Sequence, residues 1–152
     1  MSHSIQIGTS GWSYDDWVGP FYPTGTSKGD YLATYAQRFG VVEVDSTYYR
    51  PPTDRMVQNW AARTPPTFRF ALKAPSVVTH EKVLDDCEEE MEGLLGALEP
   101  LRAKIICVLL QFGYFNRQKF SSAKPFMDRL DKFLNRFAGD IQLAVEIRNK
   151  NW

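Results

Sequence analysis

Residues 41–49 read VVEVDSTYY. Val41, Val42 and Val44 are β-branched, Gly40 punctuates the start and Pro51-Pro52 the end, so the run is expected to form a strand. With a side-chain period of two, Glu43 and Asp45 share a face with Val41, while Val42 and Val44 take the other. One face is apolar; the other turns acidic toward its C-terminal end. The pattern returns at residues 143–148, LAVEIR, where Ala144, Glu146 and Arg148 oppose Leu143, Val145 and Ile147. Both segments carry charge at the same end.

Outward from this pair, strand-like and helix-like segments alternate. Ile5 to Thr9 reads as a first strand, ended by the turn-prone Ser10-Gly11. Trp12, Tyr14, Trp17, Phe21 and Tyr22 then crowd a stretch broken by Gly19, Pro20 and Pro23, which fits an ordered aromatic loop. Asp30 stands where a helix cap belongs, before Leu32, Tyr35, Ala36 and Phe39 at helical spacing. Thr53 is placed to cap a short helix through Met56, Val57 and Trp60. Phe68 to Lys73 alternates as a strand, with Arg69, Ala71 and Lys73 on the carboxylate side. A long helix is expected from Glu81, its acidic residues between Asp85 and Glu92 forming a solvated face. Ile105 to Phe112 is apolar until Gln111, as in a parallel strand buried on both sides. Phe126, Leu130, Phe133, Leu134 and Phe137 mark a last helix, stopped at Gly139.

Composition sets limits. The chain has 152 residues, 43% of them apolar and 24% charged, which suits one soluble globular domain. Lys plus Arg and Asp plus Glu balance at 18 each, so the basic excess of a phosphate-backbone binder is missing and nucleic acid is not an expected partner. Cys87 and Cys107 have no zinc-like spacing and read as reduced, in a cytoplasmic protein. The start, MSHSIQIGTS, lacks a cationic and apolar leader, and no window is apolar enough for a membrane span.

Five strand signals joined by helices or long connections imply an α/β fold with a parallel sheet. No GxGxxG follows the first strand, which disfavours a dinucleotide-binding sheet. Polar residues at alternate positions of residues 41–49, 68–73 and 143–148 suit instead the mouth of a (β/α)₈ barrel, where functional groups rise from several strand ends.

The strings GTSGWSYDDWVGPFYP, VVEVDSTYYRPP, FRFALKAPSVVTHE, LLQFG and AVEIRNKNW resemble, in order and spacing, the YecE-like family, a domain of unknown function. The resemblance implies a TIM-barrel fold without an assigned activity. Asp45 stands where that family usually has Asn, Gly113 where it has Pro, and Asn149 where it has His. Five strands in 152 residues, against about 250 residues for a whole barrel, imply a partial (β/α)₈ TIM barrel: residues 1–152 as one domain, helices on its outer face, without the last three strand-helix units. Two open sheet edges then imply self-association.

The candidate site gathers residues at C-terminal strand ends. Glu43, Lys73 and Glu146 are the candidate catalytic groups: Glu43 as a general base and Lys73 as the stabiliser of a developing anion, with a Schiff-base amine as the lesser role. Thr9, Asp45, Tyr48, Tyr49, His80, Gln111 and Arg148 are the candidate substrate-binding groups, Arg148 offering a fork for carboxylate or phosphate. Glu43 with Lys73 also reads as a structural ion pair, and His80 as a capping or surface residue. The chemistry favoured is acid-base catalysis on an anionic or polyhydroxylated small molecule, with no cofactor. Two alternatives stay open. One is a metal-dependent phosphodiesterase or sugar isomerase; with only His3 and His80 present, its metal would be Mg²⁺ or Mn²⁺ on Glu43, Asp45 and Glu146. The other is a non-catalytic binding module or inactive fragment.

Overall fold

The computed structural model describes residues 5–139, 141–150 and 152. Its chain order is α1 (Tyr31–Tyr35), β1 (Val41–Val44), α2 (Ser46–Tyr49), α3 (Asp54–Ala62), β2 (Arg69–Lys73), α4 (Glu88–Ala97), β3 (Ile105–Phe112), α5 (Ala123–Phe137) and β4 (Leu143–Ile147). The four strands are all parallel and lie in the order β1-β2-β3-β4.

One sheet face is dry. Val42, Val44, Phe70, Leu72, Val108, Leu110 and Phe112 are each at most 1% exposed, packed with helix residues such as Tyr35, Trp60, Leu94, Phe126 and Phe133. Burying a residue of this size is worth about 1.5–3 kcal/mol, which is why the apolar parity of β1 and β2 decides which way the sheet faces. The opposite face, with Glu43, Lys73, Leu109, Gln111 and Glu146, is only half-buried. β3 is therefore not buried on both sides, as its apolar run suggests; one of its faces has no cover among the described residues. Between Phe70 and Ala71 the register slips by one β3 residue, and the extra residue, Ile106, is 39% exposed.

Four strands form where five are expected. Ile5 to Thr9 makes no ladder: Ile5 and Ile7 are 91% and 75% exposed, and Ser10 alone forms an isolated bridge to Glu43. A phenol supplies the reason. The Thr9 N–H donates to the Tyr35 hydroxyl at 2.9 Å, which donates to the Val41 carbonyl at 3.0 Å, so a side chain stands where a ladder bond would. Pairing resumes one residue on, with Glu43 N–H on the Thr9 carbonyl at 3.0 Å and Gly11 N–H on the Glu43 carbonyl at 2.8 Å.

Two other elements differ from their sequence reading. The strand at 41–49 stops at Val44, and Ser46–Tyr49 is a helical turn begun by Asp45 in helical conformation. Buried Thr47 holds this turn by donating to the Lys73 and Val44 carbonyls, at 2.6 and 3.1 Å. The helix expected from Glu81 starts only at Glu88. Before it come a π-helical turn, Val77–Glu81, and positive φ angles at Val83, Leu84 and Asp86. That backbone costs energy for β-branched Val83, but it turns Val83 and Leu84 into the core, where they are 0% and 5% exposed. The acidic run is solvated on one side and tied to α5 on the other, through Asp85 with Arg129 at 3.0 Å and Glu92 with Arg136.

The cap expected at Thr53 forms, its hydroxyl accepting from Met56 N–H at 3.3 Å. The aromatic loop packs onto α1 and α3: Tyr22 stacks on Tyr31 at 4.5 Å, and Trp12 meets Trp60 edge-on at 5.7 Å. Burial pushes the Tyr22 phenol up to about 12. Among the described residues no helix is long and apolar enough to cross a membrane.

Candidate active site

At the C-terminal end of β1 two carboxyl groups and a hydroxyl meet. The Ser10 hydroxyl donates to Asp45 Oδ2 at 2.5 Å and lies 3.4 Å from Glu43 Oε1. Glu43 is held above the usual carboxylate range, first by burial and then by hydrogen bonding to Asp45 and the repulsion of its charge; Lys73 and Ser10 pull the other way. Asp45 Oδ1 is buried without a hydrogen-bond partner, the Lys73 ammonium standing 3.9 Å away. That distance is an ion pair but too long for a hydrogen bond.

Lys73 therefore pairs with Asp45, where the alternation of the strands suggested Glu43. Register is the reason: Glu43 lies level with Ala71, which puts Lys73 two residues further along, past the last β1 residue in the ladder, where Asp45 follows. Lys73 Nζ also sits over the Tyr48 ring, 5.5 Å from its centroid. Tyr48 meets His80 edge-on at 5.2 Å and Tyr49 at 5.0 Å. His80 lies on the π-helical turn with Nδ1 2.8 Å from the Thr79 hydroxyl, and burial followed by the charges of Lys73 and Arg148 lowers its pKa. Tyr49 is 80% exposed and lines, with Tyr48, Pro75 and Val77, a hollow of about 270 Å³ formed by the segments that follow β1 and β2.

A second group forms at the ends of β3 and β4. Gln111 and Glu146 are register partners, and the Gln111 amide donates to Glu146 Oε2 at 2.7 Å while Arg148 Nε donates to Oε1 at 3.0 Å. Those bonds, Gln111's first, hold Glu146 below the usual carboxylate range. Thr9 is near β1, but its hydroxyl donates to the Gly11 carbonyl of its own turn at 2.7 Å.

Among the described residues no three His, Cys, Asp or Glu side chains are gathered as a metal ion would need. Glu43 and Asp45 stand together, and Glu146 on β4 is committed to Gln111 of β3 and to Arg148 just past its own strand. His3 lies outside the described residues. Sequence reading missed Ser10, whose only visible signal is its place in the Ser10-Gly11 turn. It also missed Asn149, which is 8% exposed and clamps the loop after β3. Cys107 was not linked to the site either; it sits level with Ala71 on the carboxylate face, and its thiol is pushed up by burial and by Glu43.

A four-stranded parallel sheet with helices packed on one face places the chain in the α/β class of folds. Within that class, residues 6–152 match the family described as protein of unknown function DUF72, and the chain belongs to that family. It is 31% identical to the UPF0759 protein YunF of Bacillus subtilis over 97% of this chain and 52% of that protein. It is 29% identical to the UPF0759 protein YecE of Escherichia coli K12, over 95% and 48%. Crystal structures of DUF72 family proteins from Enterococcus faecalis and Thermotoga maritima superpose with TM-scores of 0.78 and 0.74, at 27% and 31% identity, over 98% and 99% of this chain and 52% and 58% of theirs. The chain thus spans about half the length of the relatives it matches.

Proposed function

We propose that this protein is a small-molecule enzyme that uses Glu43 as its general acid-base group on a polyhydroxylated or anionic substrate. The observation that carries the reading is the pairing of Glu43, raised in pKa, with an Asp45 whose buried Oδ1 accepts no hydrogen bond. A carboxyl group whose pKa is raised by burial and a neighbouring carboxylate is better suited to holding and returning a proton than an ordinary one. Asp45 Oδ1, without a hydrogen bond of its own, holds the Lys73 ammonium close by, where it would stabilise a developing oxyanion. Glu146, lowered and doubly bonded, suits orienting Arg148 better than moving a proton. A Mg²⁺ or Mn²⁺ reading needs Glu146 to leave Gln111 and Arg148, and nothing in the geometry favours that step.

The sheet supports a further reading, that it is one part of a (β/α)₈ barrel. Its strands are parallel and neighbours in sequence are neighbours in space, with no reversal of order. β4 has no second partner among the described residues, which supports self-association through that edge.

The test of the enzyme reading is consumption of polyols, hydroxy acids and sugar phosphates, followed by NMR, for the wild-type chain and Glu43→Gln. At least one compound should be consumed, and the substitution should slow it by about 100-fold or more. Consumption at equal rates by both proteins, or by neither, would overturn the assignment.

A further inference from the structure

Beyond the ends of β3 and β4 opens a cavity of about 580 Å³, between the loop after β3, the start of α5 and the segment after β4. This is the size of a site for a small organic ligand. Its charged lining among the described residues is cationic throughout: Arg117, Arg148 and Lys150 contribute, and no described Asp or Glu does. No ion pair among the described residues uses Arg117 or Lys150. Arg148 gives only Nε to Glu146, a contact that fixes the guanidinium and leaves its terminal nitrogens to meet an anion.

The other walls differ in chemistry. One is aromatic: Trp152 lies nearly parallel to Phe115 at 5.9 Å and edge-on to Phe120 at 6.1 Å. The last is the beginning of the 15-residue α5, where the N-cap Ser122 makes no side-chain capping bond, so its hydroxyl and the Ala123 and Lys124 N–H groups, Pro125 having none, remain donors beside the cations.

We infer that this cavity binds a phosphate monoester of a flat aromatic or heteroaromatic group, the phosphate against Arg117, Arg148 and Lys150 and the ring against Phe115 and Trp152. A carboxylate has two oxygens and one charge, too few for three cations and the hydroxyls beside them. A phosphate monoester offers three oxygens and nearly two charges. The inference rests on the functional reading above for placing a substrate at this end of the sheet, and adds the group by which that substrate is held.

Inorganic phosphate, phenyl phosphate and phenol are titrated into the 152-residue chain and followed through the Trp152 indole resonance and calorimetry. Phenyl phosphate should bind at least about tenfold more tightly than either fragment, and more weakly as salt rises. Arg117→Gln and Arg148→Gln should each weaken it by about tenfold or more. Lys132→Gln, on the exposed side of α5, should change nothing. Unchanged binding in Arg117→Gln, or an equal loss in Lys132→Gln, would overturn the site; should Arg148→Gln fail to fold, Arg117→Gln carries the test from a separate loop. Phenyl phosphate binding with unaltered turnover in Glu43→Gln would remove the acid-base reading and leave this one. Glu43-dependent turnover with no phenyl phosphate binding would do the reverse.

Discussion

The Asn149 side chain closes a two-way clamp on the Phe115 backbone: its Oδ1 accepts the Phe115 N–H and its Nδ2 donates to the Phe115 carbonyl, both at 2.8 Å. The pair imitates one rung of a sheet where β3 and β4 have already ended. It fixes the loop that places Phe115 and Arg117 at the cavity, and it accounts for a buried amide in a segment that otherwise reads as polar surface. Asn149→Ala leaves both Phe115 groups unpaired and should cost about 2 kcal/mol, measured by urea unfolding. A loss below 0.5 kcal/mol, on the order of an ordinary surface change, would mean that water replaces the amide.

Tyr35 does a related job for the segment before Ser10. Tyr35→Phe removes the hydroxyl that links Thr9 N–H to the Val41 carbonyl and should cost about 1–2 kcal/mol. Faster hydrogen exchange at Thr9 and Glu43 would accompany it. Unchanged exchange at both amides would show that the segment holds its place without the phenol.

Lys73 and Asp45 have side chains 20% and 40% exposed, so their pair is partly solvated. Lys73→Met should therefore cost about 1 kcal/mol rather than the several expected of a dry pair. Because the Lys73 charge lowers Glu43, the same change should raise the Glu43 midpoint, read by NMR of labelled glutamate. A midpoint that stays or falls would place Lys73 out of reach of Glu43.

Glu43 should also show in the pH dependence of stability. Its folded pKa is raised above the unfolded value, so its contribution is fully present below the unfolded pKa and is lost as pH rises through the folded one. Glu43→Gln carries no such loss. Relative to wild type, the variant should gain stability between acid and neutral pH, in paired unfolding curves at the two ends of that window. A wild-type protein that gains on Glu43→Gln over the same window would reverse the sign of the shift.

The exposed edge of β4 and the apolar part of the half-buried sheet face should draw chains together. Light scattering behind a sizing column should find a dimer or larger assembly of the 152-residue chain. A monodisperse monomer that melts cooperatively would show that the open sheet is stable alone.

Much of this architecture was legible in one dimension. The period-two alternation of residues 41–44 and 69–73 and the helical spacing from Phe126 to Phe137 are local patterns, and burial of the apolar side leaves each only one way to face; the alternation of residues 143–147 is equally visible, but its Val145 is 39% exposed. The charges at strand ends follow from the same parity, so Glu43, Lys73 and Glu146 could be assigned to one sheet face by counting. Three-dimensional contacts decided the rest. Register between β1 and β2, rather than sequence spacing, gave Lys73 to Asp45. A phenol 26 residues away kept Ile5 to Thr9 out of the ladder. Gln111 and Arg148 took both oxygens of Glu146, which separated its chemistry from that of Glu43 although the two look alike in sequence. A strand's own residues determine which side of it meets water, but the partner of a buried charge depends on which other segment the folded chain brings within a few ångströms, and no local pattern encodes that distance.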